Sequence, residues 1–368
     1  MCSVQLTVGH DEHSVTTTIG RRNGRLSESS HGCQNLSMVE TMLPRIRMIA
    51  ILGSRTVGPA LALTLFTAGT CRAQEELAGS LRVTAENDYF DFWIPPAKRP
   101  DDNYTQGFRI EWAGNRVPTI ARRFVCRSKV TCGSTLAVGQ EMFTPTDDAA
   151  LPIEGERPYA GWLYVRAGAV VATDRMRRAL GATLGVTGRA SFAEQTQEAF
   201  HRLIPGFRRP LGWGNQLPTE PAAALLAEET WYLSALPQAD GWLDVMPWTN
   251  ATLGTLRTAI GVGTRARIGA ALRHPWLVNT RAKPWEAYLF LSGQAEAVGH
   301  DLFLDGSTFG RSVRVDRTPF VSNWDLGVSV RFRRLGLEYR AVTEGKAYRT
   351  GPSLHRFGGI TVTWWNAQ

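Results

Sequence analysis

From residue 81 onward the chain alternates. Segments of about ten residues set apolar side chains against polar or small ones at every second position, the period of a β-strand with two unlike faces. Phe108, Ile110 and Trp112 oppose Arg109 and Glu111, and Ile360, Val362 and Trp364 oppose Thr361 and Thr363. Leu163, Val165, Ala167, Ala169 and Val171 oppose Tyr164, Arg166 and Gly168. Twelve such segments begin near 81, 105, 134, 160, 177, 228, 242, 257, 285, 320, 334 and 355, separated by clusters of Gly, Pro, Asp and Asn. One stretch breaks the period. Ser191–Ile204 reads as a helix with Ser191 as N-cap and Glu194 completing a capping box, and Pro205-Gly206 ends it. Phe192, Thr196, Ala199, Phe200 and Leu203 recur at helical spacing, while Gln197 and His201, four apart, share a face. The pattern predicts a helix at the mouth of a β-structure, with that polar pair aimed at the rim.

A soluble sandwich and a membrane barrel both alternate, with the apolar face inward in the first and outward in the second. Three observations favour the barrel. Arg45, Arg47 and Arg55 precede a short apolar run, Val57–Ala68, and small residues lead to Ala73, the layout of a secretory signal peptide over 42–73. A lipoprotein cut before Cys71 is disfavoured by Thr70. The strand count is even and the strands are long. Trp112, Trp162, Trp242, Trp248, Trp285, Trp364 and Trp365 fall near strand ends, where an interfacial girdle would place them. No run of about 18 apolar residues follows the signal, so a spanning helix is not expected. The expected fold is all-β: a twelve-stranded antiparallel transmembrane β-barrel over 74–368, with a short helix near the barrel mouth, in a bacterial outer membrane. Residues 1–41 are polar and without period, and read as a disordered extension or a mis-assigned start.

Charge adds little. The full chain carries 41 Lys+Arg against 33 Asp+Glu. Removing 1–73 leaves a mildly basic chain without the dense Lys/Arg run of a nucleic-acid binder. Cys126 and Cys132 remain after export, and in an oxidising compartment they are expected to form a disulfide rather than a zinc site.

The candidate chemistry gathers around Glu86–Trp112. Glu86, Asn87 and Asp88 close the first strand, and Asp101, Asp102, Asn103, Tyr104 and Thr105 open the second. A hairpin brings these ends together as an oxygen-rich rim, suited either to a hard cation such as calcium or to a solvated turn. His201 is the natural general base, since imidazole takes a proton from water near neutral pH. A cation held by Asp88 would polarise a carbonyl, and Asn87 and Thr105 would orient hydrogen bonds. Together these residues suggest metal-assisted ester hydrolysis with water as nucleophile. No GxSxG elbow or HExxH motif supports a serine hydrolase or a zinc protease.

Seven motifs then run in order: END-x-F (86–90), YT-x-G (104–107), GQ-x-x-x-TP (139–145), RPYAGWLY (157–164), Q-x-x-x-H (197–201), GW-x-NQL-x-x-EP (212–221) and FLDG-x-TF (303–309). On these motifs the chain from about Leu81 to its C-terminus resembles the outer-membrane lipid A 3'-O-deacylase family. The resemblance implies a twelve-stranded barrel with its site near the outer rim. It also implies calcium-assisted hydrolysis of the ester that holds the 3'-linked acyl groups of lipid A. Position by position, Asn87 and Asp88 match the family's catalytic and calcium-binding pair, Thr105 its site threonine, Gln197 a site glutamine and His201 its general base. The family's carboxylate shortly after the histidine is missing from Arg202–Pro210, which implies either Glu220 as the replacement ligand or a weaker hold on calcium. The expected partners are lipid A or lipopolysaccharide as substrate and the lipids of the outer membrane, with no nucleic acid and a monomeric barrel. RPYAGWLY reads as structural, with Ala160-Gly161 allowing close packing. Asn215 and Gln216 either reach the site or satisfy a loop, and Asp305-Gly306 reads as a turn.

Overall fold

The structure, a computed structural model, describes residues 79–366 apart from 94–102, 116, 118–125, 127–129, 147–149, 204–209, 235–240 and 278–282. The expected extension and signal peptide, and Asp101 and Asp102, lie outside the described residues. The strands are β1 (Ser80–Asn87), β2 (Asn103–Gly114), β3 (Thr131–Thr144), β4 (Ala160–Ala172), β5 (Met176–Thr187), β6 (Pro221–Trp231) and the two-residue β7 (Leu233–Ser234). They continue with β8 (Gly241–Gly254), β9 (Arg257–Leu272), β10 (Trp285–Asp301), β11 (Phe320–Phe332), β12 (Leu335–Gly345) and β13 (Leu354–Trp365).

All are antiparallel to their neighbours and follow chain order around the sheet. β13 pairs back onto β1, and β6 pairs with β8, so the sheet closes. β7 only extends the ladder beside β8, and the wall is the expected twelve-stranded barrel. Eleven expected strand starts fall within three residues of those observed. β6, expected near 228, begins at Pro221. Alanines occupy both of its faces there, so no alternation marks the start.

Polarity decides between sandwich and barrel. The outward column is apolar and exposed: Phe108, Val138, Val165, Leu184, Leu225, Ile260, Leu289 and Val328 all lie open on the wall. The inward column is charged. Glu86 pairs with Arg340 and accepts a 2.6 Å bond from the Tyr104 hydroxyl. Arg267 grips Asp244 through bonds of 2.9 and 2.6 Å, and Arg257 reaches Glu296 at 2.7 Å and Asp301 at 2.9 Å. A water-soluble sandwich would have these faces exchanged. Exposed apolar strands with every ladder closed match the hydrocarbon region of a bilayer.

The two rims differ. The longest connection, 188–220, lies at one end with 145–159, 302–319 and the short 255–256, and the tight turns 173–175 and 333–334 lie at the other with 273–284, beside both barrel termini. Short turns mark the periplasmic side of such barrels and longer loops the outer side, so Asn87 and Asp88 sit at the outer rim. Exposed Trp112, Trp242, Trp285 and Trp364 belt the opposite end. The expected girdle is smaller than the sequence suggested. Trp162 is 1% exposed inside the core cluster with Tyr164 and Phe303. Trp248 and Trp365 also turn inward, the latter under the Arg331 guanidinium at 3.8 Å. Nearness to a strand end does not reveal on which face a tryptophan falls. Cys126 and Cys132 are joined as expected, with Cα atoms 5.9 Å apart.

Below the wall, His274 ties two connections together. Its Nε2 lies 2.7 Å from the Asp174 carbonyl, and its Nδ1 accepts from the backbone N–H of Leu277 at 3.1 Å. The ring packs against Tyr232 and Trp276. Burial pulls the imidazole below its ordinary value, against the raising influence of the Asp174 contact. Because the folded-state value is the depressed one, the packing of the neutral ring contributes fully above the ordinary histidine range of about 6.5 and is lost as pH falls below it. Protease cleavage within 273–277 should therefore rise between pH 7.5 and pH 5. In His274→Gln that pH dependence should disappear.

Candidate active site on the outer wall

Five outward-facing positions line up across the top of the wall. Strand register places Gly161 of β4 beside Met142 of β3, Met142 beside Gln106 of β2, Gln106 beside Asn87 of β1, and Asn87 beside Gly358 of β13. Below this row the same columns carry Val165, Val138, Phe108 and Leu81, which face lipid. The row itself is polar at its centre and covered at both ends.

Glycine permits each cover. A Cβ at Gly358 would overlap the Phe90 carbonyl, so the 3₁₀ turn Asp88–Phe90 lies directly on the β13 backbone. At the other end, a Cβ at Gly161 would overlap Ser191 Oγ and Ala193 Cβ, where helix α1 (Ala193–Leu203) begins. Ala193 joins Met142, Tyr159 and Trp213 in one buried cluster, and Gln140 Nε2 donates to the Ser191 carbonyl at 2.6 Å. Turn and helix thus flank a recess on the lipid-facing side of the outer rim. The close-packing reading of Ala160-Gly161 agrees with this geometry.

Asn87 and Asp88 are 3% and 1% exposed. Asn87 Oδ1 caps the 3₁₀ turn, accepting from Tyr89 N at 2.8 Å. Thr105 occupies a β-bulge between Tyr104 and Gln106, and its hydroxyl meets Thr144 Oγ1 at 2.7 Å. The bulge shifts the register by one residue and aims the side chain anew. On α1, Gln197 is buried and its Oε1 accepts from Trp213 Nε1 at 2.7 Å, while His201 is half-buried one turn on. Asn87, Asp88 and Thr105 thus stand at the top of β1 and β2, and Gln197 and His201 on the helix that packs against β3 and β4 at the same end.

The donor chemistry fits a hard cation. Asp88, Asn87 and Thr105 offer oxygen alone. Gln106 Oε1, beside Asn87, is buried with no hydrogen-bond partner. Among the described residues no three His, Cys, Asp or Glu side chains gather, so a cation here would rest on one carboxylate supplemented by neutral oxygens.

The family model described as Outer membrane protein LpxR matches residues 60–365. The chain belongs to the LpxR family. This is the outer-membrane lipid A 3'-O-deacylase family that the seven motifs resemble. The solved LpxR from Salmonella typhimurium is 17% identical, with 78% of this chain and 99% of that chain covered and a TM-score of 0.65, a likeness of fold. The β domain of the Bordetella autotransporter BrkA is 12% identical, with 78% of this chain and 99% of that chain covered, but its TM-score of 0.38 adds nothing to the argument. No curated protein matches the chain.

Within this LpxR-family barrel, three expectations are corrected. Glu220 does not join Asp88. It lies just before β6, and its carboxylate accepts from Ser307 Oγ at 2.5 Å and Thr308 N at 3.0 Å, pinning one outer loop to another. The Glu-Pro spacing could not show which side of the wall it occupies. The helix starts at Ala193, because Ser191 Oγ donates to the Gly188 carbonyl inside the preceding 3₁₀ turn instead of capping α1. α1 also covers the outer wall, not the mouth. It buries Ala193 and Gln197 together, and Phe192, just before it, is 58% exposed. Asn215 and Gln216 satisfy loops, donating to the Ala150 and Trp213 carbonyls, and Asp305-Gly306 ends a short helix. Gln106, Gly358 and Trp213 escaped the sequence reading. Gln106 had a visible signal: it is the one strongly polar side chain in the column of Phe108, Ile110 and Trp112.

Gly358→Val should leave the barrel closed but displace the Asp88–Phe90 turn, read as faster hydrogen exchange at Tyr89 and Asp91 with the strand amides unchanged. Glu220→Ala removes the acceptor for Ser307 and Thr308, and should destabilise the folded barrel by about 1–3 kcal/mol in urea unfolding.

Proposed function

We propose that the protein is an outer-membrane lipid A 3'-O-deacylase, hydrolysing the ester that holds the 3'-linked acyl group. The observation that carries this reading is the polar recess of Asn87, Asp88, Thr105, Gln197 and His201 on the lipid-facing side of the outer rim. A glycolipid of the outer leaflet presents its acyl esters at that depth and on that side, without entering the barrel. Membership of the LpxR family supports the same substrate class.

In this mechanism His201 takes a proton from water as the water oxygen attacks the ester carbonyl carbon. The tetrahedral oxyanion is met by hydrogen-bond donors at the rim, with the Asn87 amide and the Thr105 hydroxyl in reach of the same recess. Collapse breaks the bond between the carbonyl carbon and the sugar oxygen, and the imidazolium returns its proton to that oxygen. The products are the free acyloxyacyl carboxylic acid and lipid A with a 3'-hydroxyl. Calcium, held by Asp88 with Asn87, would supply positive charge against the developing oxyanion. Gln197 positions His201 from one turn away, its own carbonyl fixed by Trp213. Asp88 and the Asn87 cap hold the turn that closes the recess.

Cells expressing the protein should lose one acyloxyacyl mass from lipid A by mass spectrometry. His201→Ala and Asp88→Ala should each reduce that loss by at least about 100-fold, the scale of one general base. Unchanged lipid A together with cleaved phosphatidylethanolamine would move the substrate to glycerophospholipid. An unchanged rate in His201→Ala would remove the mechanism.

A further inference from the structure

The recess contains one polar atom that none of the roles above uses. Gln106 Oε1 is buried and makes no hydrogen bond. A buried amide oxygen left without a partner costs about 1–3 kcal/mol, so a native fold keeps one where something else satisfies it. The position sharpens the question. Gln106 shares its outward column with Phe108 and Trp112, both exposed to lipid, where an amide has no aqueous alternative. Across the strands it stands directly opposite Asn87 on one side and Met142 on the other. Directly opposed residues of an antiparallel pair have Cβ atoms about 5 Å apart on the same face. Met142 is an apolar, 1% exposed neighbour that offers no donor, and the Asn87 amide nitrogen makes no hydrogen bond to Gln106 Oε1.

Thr105, next in sequence, sits on the bulge. Without that extra residue strict alternation from Gln106 would turn Thr105 toward the lumen, while Gln106 stayed opposite Asn87. The bulge therefore keeps both residues at the recess, the threonine bonded to Thr144 and the glutamine with its oxygen unused. The one other carboxylate considered for this site, Glu220, is engaged with the 307–309 loop. With Glu220 engaged elsewhere, the unpartnered Gln106 oxygen stands beside Asn87, the residue that precedes Asp88.

We propose that Gln106 Oε1 is a ligand of the divalent cation at this recess, completing a set built on Asp88 and Asn87. This rests on the calcium-assisted reading given above. A set with a single carboxylate is a weak calcium site, because affinity follows ligand charge. Replacing the amide by a carboxylate strengthens it, and replacing the amide by an isosteric hydrocarbon weakens it.

The test is a calcium titration of the full chain refolded in detergent, read by calorimetry without substrate and repeated with terbium luminescence. Heat-modifiable migration on gels verifies that each variant is folded. Gln106→Leu should weaken calcium about tenfold or more, and Gln106→Glu should tighten it by a similar factor. Asp88→Asn should abolish binding. Calcium affinity unchanged in Gln106→Leu, with Asp88→Asn dead, overturns the ligand role and leaves the calcium reading standing. A folded wild-type chain that binds no calcium in either assay overturns both.

Discussion

Every residue of a closed β-wall in a bilayer faces either hydrocarbon or the lumen, because side chains alternate strictly and the ladder leaves no edge. The rest of the structure depends on this constraint. It places Phe108, Val138 and Val328 on the lipid and sends Arg267, Asp244, Glu286 and Arg340 inward, where they meet as ion pairs. It also makes polar residues in an outward column costly. The row through Asn87 and Gln106 breaks the rule, and the molecule shields it with a 3₁₀ turn on one side and a helix on the other. Both covers lie flat because Gly358 and Gly161 have no side chain to hold them off.

The fold was legible in the sequence because the alternation is local. Period two needs no knowledge of partners, so strand starts came out within three residues except at β6, where Pro221-Ala222-Ala223-Ala224 has no contrast between faces. The candidate site residues stood out for a different reason: Asn87, Asp88, Thr105, Gln197 and His201 sit in short motifs with fixed spacing. What stayed hidden was sidedness across long sequence separations. Glu220 falls in a motif too, yet its partners are Ser307 and Thr308, and nothing local reveals that. Trp162 and Trp365 failed as girdle residues on the same ground, since one residue of register separates the lipid face from the core. α1 was visible as a helix, but local spacing does not reveal that it lies on the outer wall and not at the mouth. Phe192 is exposed and Gln197 is enclosed, because the surface it meets is a polar recess and its surroundings are not water.

The bulge at Thr105 shows how little is needed to build such a site. One extra residue in β2 shifts the register between Tyr104 and Gln106 and lets two consecutive side chains serve the same recess. Tyr104 on the other side of that shift keeps its hydroxyl on Glu86 inside the barrel. A single backbone irregularity thus divides the lumen network from the outer recess within three residues.

The row lies on the outward face of the wall, and the lumen behind it is crossed by ion pairs. A lipid that reached it from the leaflet would travel within the membrane plane. Encounter is then a two-dimensional problem, governed by lateral diffusion and by the mole fraction of the target lipid among its neighbours. Diluting the substrate with inert lipid would slow such a protein at constant bulk concentration, and its apparent affinity would carry units of surface density.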